Sequence, residues 1–257
     1  MKLLLGAALA ALLAGTATAA LAPQPITNPP LDDTRVQIST LVREDLFAGI
    51  LEKDMKRQAI GEANIEKLLV SRPNDRAGLL AWRGGAELNR AALAREAGKK
   101  AEYRRHYDLA VAAFAEGDKA ADANQGTRAI VSGASQMLFA DRLDKKDAAA
   151  MWALAYENYQ QVWKVQGAYA DKLPPHLRGE LMAGMVMTAQ RTGRQAEADA
   201  ALDKMLVITK GGEYELMAQQ WKDNPKVAPK TSLSCKNCHD DGRLGPTLAR
   251  MAAAKPS

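Results

Sequence analysis

Aromatic and small apolar residues recur at helical spacing along the middle of this 257-residue chain, and this pattern limits what the chain can fold into. The first stripe lies on one face of an α-helix and consists of Tyr103, Tyr107, Ala110 and Phe114. A second stripe repeats the spacing 49 residues later and consists of Trp152, Tyr156, Tyr159 and Trp163. Residues 35–221 show no alternation of the β-strand type. The pattern therefore predicts an all-α body.

Each stripe is preceded by a second helical segment, which predicts a stack of helical hairpins. A weaker third copy of the stripe consists of Ala201, Met205 and Ile208, and the preceding partners span about 77–97, 128–142 and 177–192. Pro73-Asn74-Asp75 is typical of a helix start before the first partner. Thr192-Gly193-Arg194 predicts a tight break after the last partner.

The last hairpin, 177–209, resembles a tetratricopeptide repeat. Its first helix carries the small residues Ala183 and Gly184, its turn contains Gly193, and its second helix carries Ala196, Ala198, Ala201 and Leu202. The resemblance covers one unit well, since a spacing of 49 residues exceeds that family's period of about 34 residues. It implies a concave surface for a protein partner, and a plain helical bundle is the alternative.

The amino-terminal segment is typical of an export signal. Lys2 precedes an apolar stretch from Leu3 to Ala14, and Ala17-Thr18-Ala19 forms a small-residue cleavage site. Twelve residues of helix reach only about 18 Å, which is short of a hydrocarbon core of about 30 Å. We expect cleavage near Ala19, no integral membrane span in the mature chain, and a periplasmic location.

Prolines divide the remaining chain into a linker, a body and a tail. The expected organisation is a signal peptide at 1–19, a proline-rich linker at 20–34, a helical hairpin domain at 35–221, and a linker with a short functional segment at 222–257. A hydrophobic content of 47% with 25% charged residues excludes wholesale disorder. The formal net charge of +5 lacks the clustered basic stripe that is typical of nucleic-acid binding.

The tail contains Cys235-Lys236-Asn237-Cys238-His239, which is the pattern C-x-x-C-H. Two thiols at this spacing can add to the vinyl groups along one edge of a porphyrin, and the adjacent imidazole can then bind the iron. The pattern predicts one covalent haem c, with Cys235 and Cys238 as thioether anchors and His239 as the proximal ligand.

Three other interpretations of these residues stay open at this point. A zinc site needs four protein ligands, or three with an open position, and only Cys235, Cys238 and His239 are local. A disulfide can form in an oxidising compartment, although no βαβ pattern indicates a thioredoxin-like fold. Chance occurrence is disfavoured because these are the only two cysteines of a chain that carries an export signal.

Around this motif the sequence resembles the c-type cytochromes. Residues 242–248, GRLGPTL, are similar to the glycine-proline segment of class I members, which implies that the Pro246 carbonyl accepts a hydrogen bond from the His239 ring. Only nine residues follow Leu248, too few for a complete class I domain. A site after a helical body is also similar to class II cytochromes, although Gly242 stands where that class has an aromatic residue.

The second axial ligand of the iron is left open by the sequence. Met251 in the tail and Met217 or His176 in the body are candidates, as is a five-coordinate iron or a ligand from another protein. Three nearby methionines, Met182, Met185 and Met187, suit either a soft metal such as Cu(I) or a helix interface, and the interface is favoured.

These features predict a periplasmic monohaem c-type cytochrome that transfers single electrons and is not itself an enzyme. The helical body would shield the haem and dock a redox partner with an acidic surface. Two alternatives are a haem-based sensor or regulatory subunit, and a haem-free adaptor in which Cys235 and Cys238 form a disulfide.

Overall fold

The computed structural model describes residues 30–120 and 125–225, and the regular secondary structure within these ranges is helical throughout. The helices of these ranges are α1 (Ile38–Leu51), α2 (Met55–Ser71), α3 (Arg76–Glu96), α4 (Lys100–Lys119), α5 (Gln125–Ala140), α6 (Lys145–Gln166), α7 (Pro175–Arg191), α8 (Gln195–Ile208) and α9 (Glu213–Asp223). Short 3-10 helices precede α3 (Pro73–Asp75) and follow α6 (Gly167–Lys172). The predicted all-α fold is confirmed.

Consecutive helices pack against each other as helical hairpins, and the three hairpins predicted from the sequence are all present. α3 packs on α4, α5 on α6, and α7 on α8, while α5 also packs on α3 and α7 on α6. The first stripe forms the buried face of α4, because Tyr103, Tyr107, Ala110 and Phe114 are all at most 6% exposed. The break after α7 is a glycine turn in which Gly193 has a φ of +76°.

A fourth hairpin, α1–α2, precedes the three predicted ones and forms a second hydrophobic cluster with one face of α3. α2 begins at an N-cap, since the Asp54 carboxylate accepts hydrogen bonds from the backbone N–H groups of Lys56 and Arg57, each at 3.1 Å. Trp82 of α3 joins α1 by donating to Ser39 Oγ at 3.2 Å. The hairpin is therefore attached to the stack mainly through α3.

The chain entering α1 is held by one arginine. The Arg72 guanidinium donates to the carbonyls of Leu31, Asp33 and Val36 at 3.0, 2.6 and 2.8 Å. Residues 31–36, part of which the sequence analysis places in the linker, form turns against the end of α2. The predicted signal peptide, 1–19, lies outside the described residues.

α9 completes the described body by packing on α7 and α8. Its inner face buries Tyr214, Ala218 and Trp221, of which Trp221 is fully enclosed. Lys222, at its carboxyl end, contacts Asp203 of α8 through Nζ and Oδ1 at 2.6 Å. The chain therefore leaves the body beside α8.

Candidate functional site

The residues of the predicted haem site lie outside the described residues. This holds for Cys235, Cys238 and His239, for Pro246, and for Met251. The description ends at Pro225, ten positions before Cys235. Ten residues of fully extended chain span at most about 35 Å.

Two of the three histidines of the chain lie in the described body, and each is next to a carboxylate. His106 Nδ1 lies 2.6 Å from Glu87 Oε2, so the His106 ring contacts a carboxylate of α3. His176 Nε2 lies 3.6 Å from Glu180 Oε2, and its ring centroid is 6.0 Å from that of Tyr214. Within 30–120 and 125–225, no group of three or more His, Cys, Asp or Glu side chains is placed to hold a metal ion.

The carboxyl next to His176, that of Glu180, has a shifted pKa. Burial raises the pKa of the Glu180 carboxyl above its ordinary value, while His176 and then Arg43 act in the opposite direction. Glu180 is the carboxyl that lies next to His176. Met217, the other body residue named as a distal ligand, is partly buried against the main hydrophobic cluster.

The second aromatic stripe belongs only in part to the core. Trp152 and Tyr159 are 5% and 1% exposed, whereas Tyr156 and Trp163 reach the surface. Both surface rings are covered by cations from the α8 region, with Arg194 Cζ 4.2 Å from the Tyr156 centroid and Lys204 Nζ 4.4 Å from the Trp163 centroid.

A largely apolar pocket of about 290 Å³ opens beside Trp163. We call it the methionine pocket, and it is lined by Trp163 and Gln160 of α6, Met182, Met185 and Ala189 of α7, and Glu197, Ala200, Ala201 and Lys204 of α8. Met182 and Met185 are 1% and 9% exposed and pack into the main cluster, as does Met187. The pocket offers thioethers and an indole face, a surface suited to a flat apolar group.

A second pocket of about 370 Å³ lies between α4 and α6 and is polar at its base. There the Arg128 side chain, whose residue is 4% exposed, donates to Gln125 Oε1 at 2.8 Å and to Asn158 Oδ1 at 2.7 Å. The same guanidinium also donates to Asp118 and Gln161. Because side chains of the body already accept these hydrogen bonds, we interpret Arg128 as a structural connection between α4, α5 and α6.

Sequence reasoning did not foresee either pocket. The stripe containing Trp163 and the methionines of α7 were recognised, but the contribution of Lys204 depends on how α8 lies against α6. In the same way, the partners of Arg128 come from three helices whose packing is not encoded in any local motif. A single arginine in an otherwise uncharged helix is the one local sign of such a network.

No protein-family model, no curated protein and no solved structure matches this chain. None of the helices formed by 30–120 and 125–225 combines the length and apolar character needed to cross a membrane. The resemblances to tetratricopeptide repeats and to c-type cytochromes therefore stay predictions from the sequence.

Proposed function

We propose that this chain is an exported monohaem c-type cytochrome that transfers single electrons. The observation that carries the proposal is the motif Cys235-x-x-Cys238-His239, which uses the only cysteines of the chain. Haem c, when bound, supplies a one-electron Fe(II)/Fe(III) couple. Cys235 and Cys238 would hold the porphyrin edge by thioether bonds, and His239 would bind the iron through one ring nitrogen.

The donor set fits this group. Two thiols at C-x-x-C spacing followed at once by an imidazole is the arrangement that covalent haem attachment requires. The Pro246 carbonyl would accept a hydrogen bond from the second ring nitrogen of His239 and so fix the orientation of the imidazole. Of the three histidines of the chain, only His239 directly follows a cysteine.

The helical body would cover the haem and present a docking surface to the redox partner. A porphyrin has large apolar faces, and burial of apolar surface contributes about 25 cal/mol per Å². The methionine pocket provides such cover within reach of the attachment motif. The partner would carry an acidic surface, because the mature chain keeps a positive net charge after loss of the segment containing Lys2.

Covalent haem is tested by producing the full chain with the cytochrome maturation machinery in a bacterial periplasm. We expect an intact mass raised by one haem and an alkaline-pyridine spectrum of the denatured protein typical of two thioether links. Cys235→Ser and Cys238→Ser should each remove one link, and His239→Ala should abolish the native visible spectrum. His106→Gln is the matched control, since His106 lies in the body next to Glu87.

A colourless protein with the mass of the bare polypeptide would overturn the proposal and favour the haem-free adaptor. If haem is present, exposure of the ferrous protein to CO separates electron transfer from gas sensing. Failure to bind CO supports a six-coordinate electron carrier, and rapid binding supports the sensor. His176→Gln, Met217→Leu and Met251→Leu then identify the distal ligand, because only its loss opens the iron to CO.

A further inference from the structure

The positive charge of the mature chain lies entirely in its last 32 residues. Between 20 and 225 the chain has 28 basic and 28 acidic side chains, whereas 226–257 has six basic and two acidic side chains. The part of the body that directly precedes this segment has the opposite sign. Residues 195–225, which form α8 and α9, carry six acidic and three basic side chains. A segment with a net positive charge thus follows a stretch of sequence with a net negative charge.

The point where the chain leaves the body lies next to α8. Lys222 is joined to Asp203, and Asp203 is the neighbour of Lys204, which lines the methionine pocket. One face of α8 carries Ala200, Lys204 and Val207, which are spaced four and three residues apart. Val207 is 74% exposed, so an apolar side chain on this face of α8 is open to solvent.

We propose that residues 226–257 dock on the outer face of α8 and cover the methionine pocket, with the apolar part of the haem against Trp163 and Met185. This inference rests on the proposed function, since the haem supplies the apolar surface. The ten residue steps from Pro225 to Cys235 allow a reach of about 35 Å, whereas a helix the length of α8 spans about 21 Å. The motif can therefore reach any part of this face.

The alternative cavity, around Arg128, is a poorer match for the same segment. Its base is a guanidinium held by one carboxylate and three side-chain amides, and an apolar group placed there would remove polar groups from water. The methionine pocket presents an indole, two thioethers and alanines instead. The apolar lining of the methionine pocket and the short distance along the chain to the motif thus point to this face of the body.

Hydroxyl-radical footprinting of the haem-loaded full chain tests the docking, because it reports solvent access to individual side chains. The reference is Val70 of α2, which is 84% exposed. We expect Val207 to be labelled several-fold less than Val70. Trp163 should be labelled less than in the variant Ala200→Arg. Ala200→Arg places a bulky cation at an exposed position of the pocket rim and should raise labelling of Val207 and Trp163 several-fold.

Ala112→Arg is the matched control, because Ala112 is an exposed position on α4 that lines neither pocket. It should leave labelling unchanged, and circular dichroism should show the same helix content for both variants. Equal labelling of Val207 in the parent and in Ala200→Arg would overturn the docking proposal. Protection that grows with protein concentration would also overturn it, since a second copy would then be the occupant. A haem-loaded protein without protection refutes the docking alone, whereas a haem-free protein refutes the proposed function.

Discussion

At the scale of single residues, the body uses buried polar groups to fix how its helices pack. Arg128 is the clearest case, because its side chain connects Asp118 of α4 with Asn158 and Gln161 of α6. Asn158 in turn donates to Gln136 Oε1 at 2.9 Å, deeper in the hairpin. Such a network stabilises one arrangement of helices over others, since a slip between helices would leave buried donors and acceptors unpaired.

Glu180 predicts a pH dependence of stability. Its pKa in the folded protein is raised above the ordinary value of 4.5 by burial. Between those two pKa values the unfolded chain binds fewer protons, so the free energy of unfolding falls as the pH rises. Glu180→Gln should therefore be more stable than the parent at neutral pH. Below pH 4.5 this advantage should shrink, because the carboxyl is then protonated in both states.

Urea unfolding at a series of pH values measures this difference. The control is Glu52→Gln, a change at an exposed carboxyl just after α1. The effect of Glu52→Gln on the free energy of unfolding should not show the pH dependence expected for Glu180→Gln. A constant difference between Glu180→Gln and the parent across the series would show that Glu180 protonates alike in both states. The neighbouring charges, His176 and Arg43, are unchanged in both variants.

At the scale of helices, close approach between α6 and α7 depends on one glycine. The ring of Tyr159 occupies the place where a side chain at Gly184 would begin, and Tyr159 is itself 1% exposed. Neither partner can move without disturbing the core, because interiors are close-packed. This contact explains why a small residue is required at Gly184, a position that the sequence analysis singled out only through a resemblance.

Gly184→Ala should destabilise the protein by about 2–3 kcal/mol through overpacking against Tyr159. The matched substitution is Gly126→Ala in α5, where no atom lies within 4 Å of the added carbon. That change should instead stabilise the helix by about 0.5–1 kcal/mol. Chemical denaturation of both variants provides the comparison. Equal effects at the two positions would contradict the packing explanation.

The hairpins themselves could be read from the sequence to within a few residues. The predicted partner at 77–97 corresponds to α3 (Arg76–Glu96), and the predicted break at Gly193 separates α7 from α8. These elements were accessible because a helix with one buried face has a periodic sequence. α1–α2 was not paired in advance, since its buried face includes polar residues such as Glu44, Gln58 and Asn64 that interrupt the apolar pattern.

At the scale of the whole molecule, the described body contains two hydrophobic clusters that meet at α3. The smaller one joins α1, α2 and one face of α3, and the larger one extends from α3 to α9. Stacks of this kind unfold in parts, because each hairpin contacts mainly its neighbours. We therefore expect the α1–α2 hairpin to open separately from the α7–α8 hairpin.

Leu41→Ala tests this division, because Leu41 is fully buried in the smaller cluster. It should cost about 2–5 kcal/mol locally and lower hydrogen-exchange protection in α1 and α2, with α7 and α8 unaffected. Met205→Ala, at a fully buried position of α8, should show the reverse pattern. Loss of protection throughout the body in both variants would show a single cooperative unit instead.

The sequence predicts the parts of the site that depend on local motifs, and it does not predict the parts that depend on how distant helices pack. The C-x-x-C-H motif is local, so Cys235, Cys238 and His239 could be proposed from spacing alone. The methionine pocket combines residues of α6, α7 and α8, and Lys204 lies 41 positions from the Trp163 ring that it covers. Only the packing of the hairpins brings these two side chains together.

In the proposed cytochrome, the covalent connection between α9 and the haem-binding segment would lower the affinity that docking requires. Two sites joined by a short stretch of chain meet at an effective concentration in the millimolar range. A contact too weak to hold a separate molecule would therefore keep the haem covered most of the time. The same weakness would release it often, and within about 35 Å of Pro225 the iron could then be offered to a partner. The body would thus hold the haem reversibly and release it at intervals to a redox partner.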